Sequence, residues 1–190
     1  MDSDRKRDRP GYRDAGKAQD GPPAARLYAF SKAEGIVGTA SSSGVGGNAV
    51  VFSESGVGAD PGRIWRLEKL GNDGFVTGRV LAEGDWARLG RPDNLRFTDA
   101  GDLFMMEDHS GSDWRNNPST GGVNQIWVLP RNRRGTSNLI LFGKTPDEAT
   151  GPWFSFDNKL LYVSTHADPP RQSRVIAIRA PRSFNQPYDR

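Results

Sequence analysis

The stretch WFSFDNKLLYVSTH, residues 153–166, contains a complete hairpin pattern. Phe154 and Phe156 flank Ser155, which is the period-two alternation of a half-buried strand. Asp157-Asn158 follows as a turn pair, because Asp and Asn tolerate the positive φ of a tight connection. The apolar run after the turn predicts a second strand, and its polar end predicts an exit loop.

The same order of elements recurs earlier in the chain. The stretch NLRFTDAGDLFMMED (94–108) has an alternating strand, a turn and an apolar run, and GGNAVVFSES (46–55) has the turn and the run. Each unit closes with a polar residue and a short apolar segment: RLYAF (26–30), RIWRL (63–67), QIWVL (125–129) and RVIAI (174–178).

A recurrence of roughly 40–60 residues built from short antiparallel strands is typical of β-propeller blades. A β-sandwich with accidental similarity is the alternative. In the propeller interpretation, Trp65 and Trp127 occupy equivalent positions, and we expect both to be buried between neighbouring sheets.

The composition of the 190 residues favours an all-β protein. Hydrophobic residues make up 35%, and 23 Gly and 13 Pro favour short strands and turns over long helices. We expect residues 1–25 to be a disordered lead-in, 26–180 to form propeller blades and 181–190 to be a C-terminal tail. The chain has no cysteine, which excludes disulfides and thiolate chemistry.

The number of blades implies an incomplete propeller. Residues 26–178 hold about three to three and a half units, whereas closed propellers have at least about four blades. An open fan would leave strand edges unpaired. We therefore expect the chain to belong to a longer protein or to close against another chain.

The charge pattern argues against nucleic acid and membrane partners. The 26 basic and 23 acidic residues give a net charge of +3, but the basic residues are scattered. The densest group, Arg131, Arg133 and Arg134, is interpreted as part of a solvated loop. No apolar run approaches the roughly 20 residues of a membrane span, and the N-terminal stretch lacks the apolar region of an export signal.

The inner strands of a propeller end around one mouth, so polar residues at those ends should converge. The following residues are candidates: Glu54, Asp93, Asn94, Glu107, Asp108, His109, Asp147, Glu148, Thr165, His166 and Asp168. Several carboxylates in one place require a cation, a shared proton or an opposing charge. Carboxylate and amide oxygens suit Ca²⁺, Mg²⁺ or ferric iron. For each single residue, a turn-capping or solvated role is the alternative.

Three stretches, taken in order, resemble the C-terminal half of the PhoX-type alkaline phosphatases. They are RPDNLRFTDAGDLFMMED, NQIWVL and EATGPWFSFDNKLLYVSTHADPP, and the resemblance covers roughly residues 50 to 180. Its most specific parts are Pro92-Asp93-Asn94-Leu95 and Glu148-Ala149-Thr150-Gly151-Pro152.

The resemblance implies a six-bladed propeller that hydrolyses phosphomonoesters with a cluster of Ca²⁺ and Fe³⁺ ions at its channel mouth. On the matching motifs, Glu148 would bind or bridge metal, and Asp93 and Asn94 would offer oxygen ligands. Asp108 falls where the family often has an acidic residue, and Glu54 is a looser match.

The family's metal-bridging cysteine has no counterpart here, and Trp153 and Phe156 replace the family's common Cys and Pro. We therefore expect a C-terminal fragment with little activity alone, partnered by an N-terminal propeller half. Family members are often periplasmic or secreted. The alternatives are a non-catalytic propeller that serves as an interaction module, and another metal-dependent propeller hydrolase of the lactonase kind.

Overall fold

The computed structural model describes residues 32–38, 49–56, 60–70, 75–84, 88–108, 123–131, 133–167, 170 and 172–179. Several sequence predictions concern residues outside these ranges: the lead-in 1–25, the segment RLYAF, His109, Asp168 and the tail 181–190. The predictions for them stay predictions.

The described residues form eleven strands in three antiparallel sheets, and the all-β prediction is confirmed. The first sheet contains β1 (Ala33–Gly38), β2 (Ala49–Ser55), β3 (Gly62–Leu70) and β4 (Phe75–Glu83). The second contains β5 (Pro92–Phe97), β6 (Leu103–Glu107), β7 (Asn124–Leu129) and β8 (Ile140–Thr145). The third contains β9 (Glu148–Phe154), β10 (Leu160–His166) and β11 (Arg174–Arg179).

In every sheet, strands that follow one another in the chain are paired. The only helical element among the described residues is a 3-10 turn at Thr136–Asn138. Within the described ranges, no helix has the length and apolar character needed to cross a bilayer.

The segments RIWRL, QIWVL and RVIAI lie in the third strand of each sheet, β3, β7 and β11. Their central residues face apolar residues of the second strand at equivalent register: Trp65 opposite Phe52, Trp127 opposite Met105 and Ile176 opposite Val163. Trp127 is buried as predicted, whereas Trp65 is only partly buried. The recurrence in the sequence therefore corresponds to a recurrence of strand position.

The second sheet lies between the other two and has an apolar core on each face. One core joins it to the first sheet through residues that include Val51, Ile64, Leu81, Leu95, Leu103, Met105, Trp127 and Leu129. The other joins it to the third sheet through Phe104, Met106, Ile126, Val128, Ala149, Phe154, Leu161 and Val163. Because both faces are covered, every residue of β6 and β7 is buried.

The turn between β9 and β10 corrects one prediction. The strand ends at Phe154, and Phe156 lies in the turn with its side chain fully exposed. The turn begins early because Ser155 donates its backbone N–H to the carbonyl of Leu160 at 2.8 Å and its hydroxyl to Asp157 at 2.7 Å. These local bonds offer the backbone an alternative to further strand pairing.

The first strands of neighbouring sheets approach closely at Gly35 in β1. A Cβ at that position would lie 2.1 Å from the carbonyl oxygen of Asp93 in β5. The hydroxyl of Ser53 in β2 donates to that same oxygen and lies 3.3 Å from the carbonyl oxygen of Gly35. Only glycine allows this approach, which brings β1 and β5 together at their starts.

A buried carboxyl group fixes the third strand of the second sheet. Glu107 is 1% exposed and accepts hydrogen bonds from the backbone N–H groups of Gly90 and Gln125 and from the indole N–H of Trp127, each at 2.9 Å. Three donors therefore depend on one side chain, and buried donors without acceptors are costly.

We expect Glu107→Ala to lower the free energy of unfolding by about 3 kcal/mol or more, because it leaves these three buried donors without their acceptor. Glu107→Gln keeps one acceptor oxygen and should cost less. Urea unfolding followed by tryptophan fluorescence measures both. The control is Glu83→Ala, whose side chain is exposed. A loss in Glu107→Ala no larger than in the control would contradict this role.

Candidate metal centre

Three carboxylates meet at the starts of β1 and β5 and just beyond the end of β6. Oxygen atoms of Glu34, Asp93 and Asp108 all lie within 4.8 Å of one another. Glu34 follows Ala33, which pairs with Glu54, and Asp93 follows Pro92, which pairs with Glu107. Glu34 and Asp93 therefore occupy equivalent positions on the first strands of two sheets.

The backbone holds Asp108 next to this pair. Its N–H donates to the carbonyl oxygen of Arg91 at 2.9 Å, which ties the end of β6 to the residue before β5. The close approach at Gly35 fixes the distance between β1 and β5. We call Glu34, Asp93 and Asp108 the acidic triad.

One lysine partly neutralises the acidic triad. The Nζ of Lys32 lies 2.5 Å from Glu34 Oε1 and 3.8 Å from Asp108 Oδ2. The hydrogen bond to Glu34 raises the pKa of Lys32, against the opposing effect of burial. A single ammonium group cannot balance three carboxylates, so the triad carries excess negative charge when all three are ionised.

Two oxygen atoms of the acidic triad are buried without a hydrogen-bond donor among the described residues: Glu34 Oε2 and Asp108 Oδ1. The other oxygen of each side chain contacts Lys32. A buried carboxylate oxygen without a partner carries an energetic penalty. A bound cation would relieve the penalty of unsatisfied buried carboxylate oxygens.

The environment raises the pKa of Asp93 to about 7. The largest cause is burial, followed by the negative charges of Glu34 and Asp108, a hydrogen bond with Glu34 and the charge of Glu148. A carboxyl group with a pKa near 7 holds a proton in part of the molecules at neutral pH. Without a cation, a proton on Asp93 therefore relieves part of the repulsion within the triad.

Glu148, the first residue of β9, borders the acidic triad. Burial and the charge of Asp108 raise its pKa, whereas a contact with His166 opposes this rise. His166 Nδ1 lies 3.2 Å from Glu148 Oε2. The negative charge of Glu148 contributes to the raised pKa of Asp93, but the direct partner of Glu148 is His166, the residue opposite it on β10.

Asn94 connects the second sheet to the third. Its amide nitrogen donates to Asp93 Oδ2 at 2.7 Å, and its oxygen accepts from the Thr150 hydroxyl at 3.4 Å and the Gly151 N–H at 3.3 Å. The Asn94 oxygen, which the sequence predicted to bind a metal, thus accepts hydrogen bonds from Thr150 and Gly151 of β9. In this arrangement Asn94 positions Asp93 and anchors the Thr-Gly-Pro turn.

Glu54 lies outside the acidic triad. It is 2% exposed, and its Oε2 accepts a hydrogen bond from the indole N–H of Trp65 at 2.8 Å and lies 3.5 Å from the Arg63 guanidinium. This is the position in the first sheet that Glu107 holds in the second. Glu54 and Glu107 therefore each accept a hydrogen bond from the tryptophan on the third strand of their sheet, which stabilises that strand.

Sequence reasoning missed Glu34. It lies in AEGIVG, which lacks the Asp-Asn motif of β5 and precedes the stretches that were compared with a known family. Its equivalence to Asp93 becomes visible only when the strands are aligned through their pairing with Glu54 and Glu107. The Gly at position 35 is the available signal, because it marks a close approach of backbones.

The residues present fit a hard cation. All candidate ligand atoms are carboxylate oxygens, and two oxygens of these side chains are buried without a donor from the described part of the chain. Ca²⁺ and ferric iron both take oxygen ligands of this kind. A scan against protein-family models finds no match to this chain, and a search of the curated proteins also finds none.

The raised pKa of Asp93 makes stability depend on pH. Between its ordinary value near 4 and its folded value of about 7, Asp93 binds more protons in the folded than in the unfolded state. In the presence of a chelator, the free energy of unfolding should therefore fall as pH rises from about 4 to 7. Asp93→Asn should flatten this part of the profile and raise stability at pH 8.

Urea unfolding between pH 5 and pH 8 measures this effect. The control is Asp99→Asn, since Asp99 is exposed in the turn between β5 and β6. An unchanged pH profile in Asp93→Asn would show that Asp93 is not the group that titrates.

Proposed function

We propose that these sheets belong to a metal-dependent phosphomonoester hydrolase of the PhoX type, with Ca²⁺ and Fe³⁺ at the acidic triad. The observation that supports the proposal is the meeting of Glu34, Asp93 and Asp108, two oxygens of which are buried with no donor among the described residues. The triad lies at the strand ends where the family resemblance expects the channel mouth. The propeller interpretation, with the remaining blades outside this chain, is part of the proposal.

Glu34, Asp93 and Asp108 would hold metal directly, and Glu148 would join them from the border of the site. When bound, the metal ions would supply positive charge to the phosphate and acidity to the attacking water. Asn94 would act by holding Asp93 through its amide nitrogen, and not as a ligand.

The chain's own residues would assist in two ways. Lys32 is half exposed beside the triad and would attract the phosphate dianion and orient it through charge-assisted hydrogen bonds. The contacting pair of Glu148 and His166 lies at the border of the triad, where it would pass a proton to or from the reacting groups. Attack by water needs no serine or cysteine nucleophile, and the chain contains no cysteine.

A non-catalytic propeller is the second candidate. The contacts of Lys32 with Glu34 and Asp108 favour it, because an internal ammonium group already offsets part of the negative charge without any metal. In such a protein the triad would be structural or would bind Ca²⁺ alone.

Metal binding separates the two candidates. We expect Ca²⁺ binding, measured by calorimetry, to weaken about tenfold or more in Asp93→Asn and in Glu34→Gln, an effect of the size seen when supporting groups of metal sites are removed. Asp99→Asn serves as the control. Iron together with calcium in the purified protein supports the hydrolase, calcium alone supports the second candidate, and no metal contradicts the metal centre.

Catalysis is tested in a protein that carries the remaining blades. We expect Glu148→Gln to reduce hydrolysis of a phosphomonoester and to lower the metal content in parallel, because it removes a carboxylate charge at the border of the triad. Unchanged activity together with unchanged metal content would refute the role of Glu148. Rapid turnover by residues 1–190 alone would contradict the expectation that further blades are needed.

A further inference from the structure

A second charged site lies at the other end of the strands. A cleft of about 70 Å³ opens between the first and second sheets, with Leu81, Leu103 and Leu129 among its apolar lining. Its charged lining consists of Arg66, Arg131, Arg133 and Arg134. Arg131, Arg133 and Arg134 form the group that the sequence suggested to be part of a solvated loop; we call them the arginine loop.

The arginine loop is anchored to the first sheet. The N–H of Gly135 donates to the carbonyl of Leu81 at 2.7 Å, and the hydroxyl of Thr136 donates to the carbonyl of Glu83. Within the loop, the Arg133 N–H donates to the carbonyl of Pro130 at 3.0 Å. These bonds hold the backbone of the arginine loop over the cleft.

The guanidinium groups of the arginine loop have no carboxylate partner among the described residues. Arg131 donates only its backbone N–H, to Asp102 Oδ1 at 2.8 Å, and its Nε is buried without an acceptor. Arg133 and Arg134 are exposed. In contrast, Arg66 pairs with Glu68. The cleft therefore has excess positive charge, part of it poorly solvated.

This end of the molecule is distinct from the acidic triad. The cleft includes Phe97, which ends β5, whereas Asp93 lies at the start of that strand. The space is large enough for more than water alone, because one water molecule needs about 10–15 Å³. The described residues that line the cleft would offer a ligand arginine and apolar side chains and no carboxylate.

We propose that this cleft binds the phosphate group of a small phosphorylated ligand whose apolar part packs against Leu81, Leu103 and Leu129. A phosphate dianion offers three oxygens and about two charges, which match several guanidinium groups at once. A carboxylate offers two oxygens and one charge and leaves guanidinium groups unpaired. This site is independent of the function proposed for the acidic triad.

The test measures binding of phenyl phosphate to residues 1–190 by calorimetry in the presence of a chelator, so that metal at the acidic triad cannot contribute. We expect phenyl phosphate to bind more tightly than inorganic phosphate or benzoate. Arg131→Ala should weaken binding by roughly tenfold or more, the effect of losing a hydrogen bond to a charged group. Arg179→Ala is the control, because Arg179 is exposed on β11, away from the cleft.

A double variant, Arg133→Ala with Arg134→Ala, keeps the test valid if Arg131→Ala is unstable, since both side chains are exposed and their loss should spare the fold. Equal binding in the wild type and the double variant would overturn the proposal, as would absence of binding. Tighter binding of a single-stranded oligonucleotide, with a steep dependence on salt, would also overturn it in favour of a nucleic acid surface.

Discussion

The close approach of β1 to β5 determines the chemistry at one end of this protein. Because Gly35 has no side chain, its backbone can lie against the carbonyl of Asp93, and the Ser53 hydroxyl joins the two strands. The same contact forces Glu34 towards the Asp93 carboxylate. The acidic triad is therefore a consequence of sheet packing, and any larger residue at position 35 would separate its members as well as the strands.

Behind the triad, a different carboxyl group supports each of the first two sheets. Glu54 and Glu107 lie at the end of the second strand of their sheets, and each accepts a hydrogen bond from the indole N–H of the tryptophan on the third strand. In the third sheet the equivalent positions hold Thr165 and Ile176. The carboxyl group is thus absent where there is no indole donor, which is the pattern expected if these glutamates exist to satisfy buried N–H groups.

The sequence was sufficient to predict what depends on local pattern. Alternation, turn residues and the recurring third-strand segments predicted antiparallel β-structure. The closeness of Asp93, Asp108 and Glu148 could be expected because equivalent strand ends meet. The roles of Glu54 and Asn94 could not be predicted, since they depend on which side-chain atom a neighbouring donor reaches. Glu34 was missed because its position is defined by pairing across strands and not by a motif.

Holding the three carboxylates of the acidic triad together costs free energy and does not help to stabilise the fold. A position built for stability would not keep three carboxylates together when two of them have buried oxygens that no described residue donates to. Asp93 lowers this cost by holding a proton up to about pH 7, and Lys32 lowers it by supplying a positive charge. The proton and the ammonium group can both be displaced, because protons exchange readily and Lys32 is half exposed. A cation could therefore displace the proton and move the ammonium group aside without disturbing the sheets. Carboxylates held together at such a cost are characteristic of a binding site.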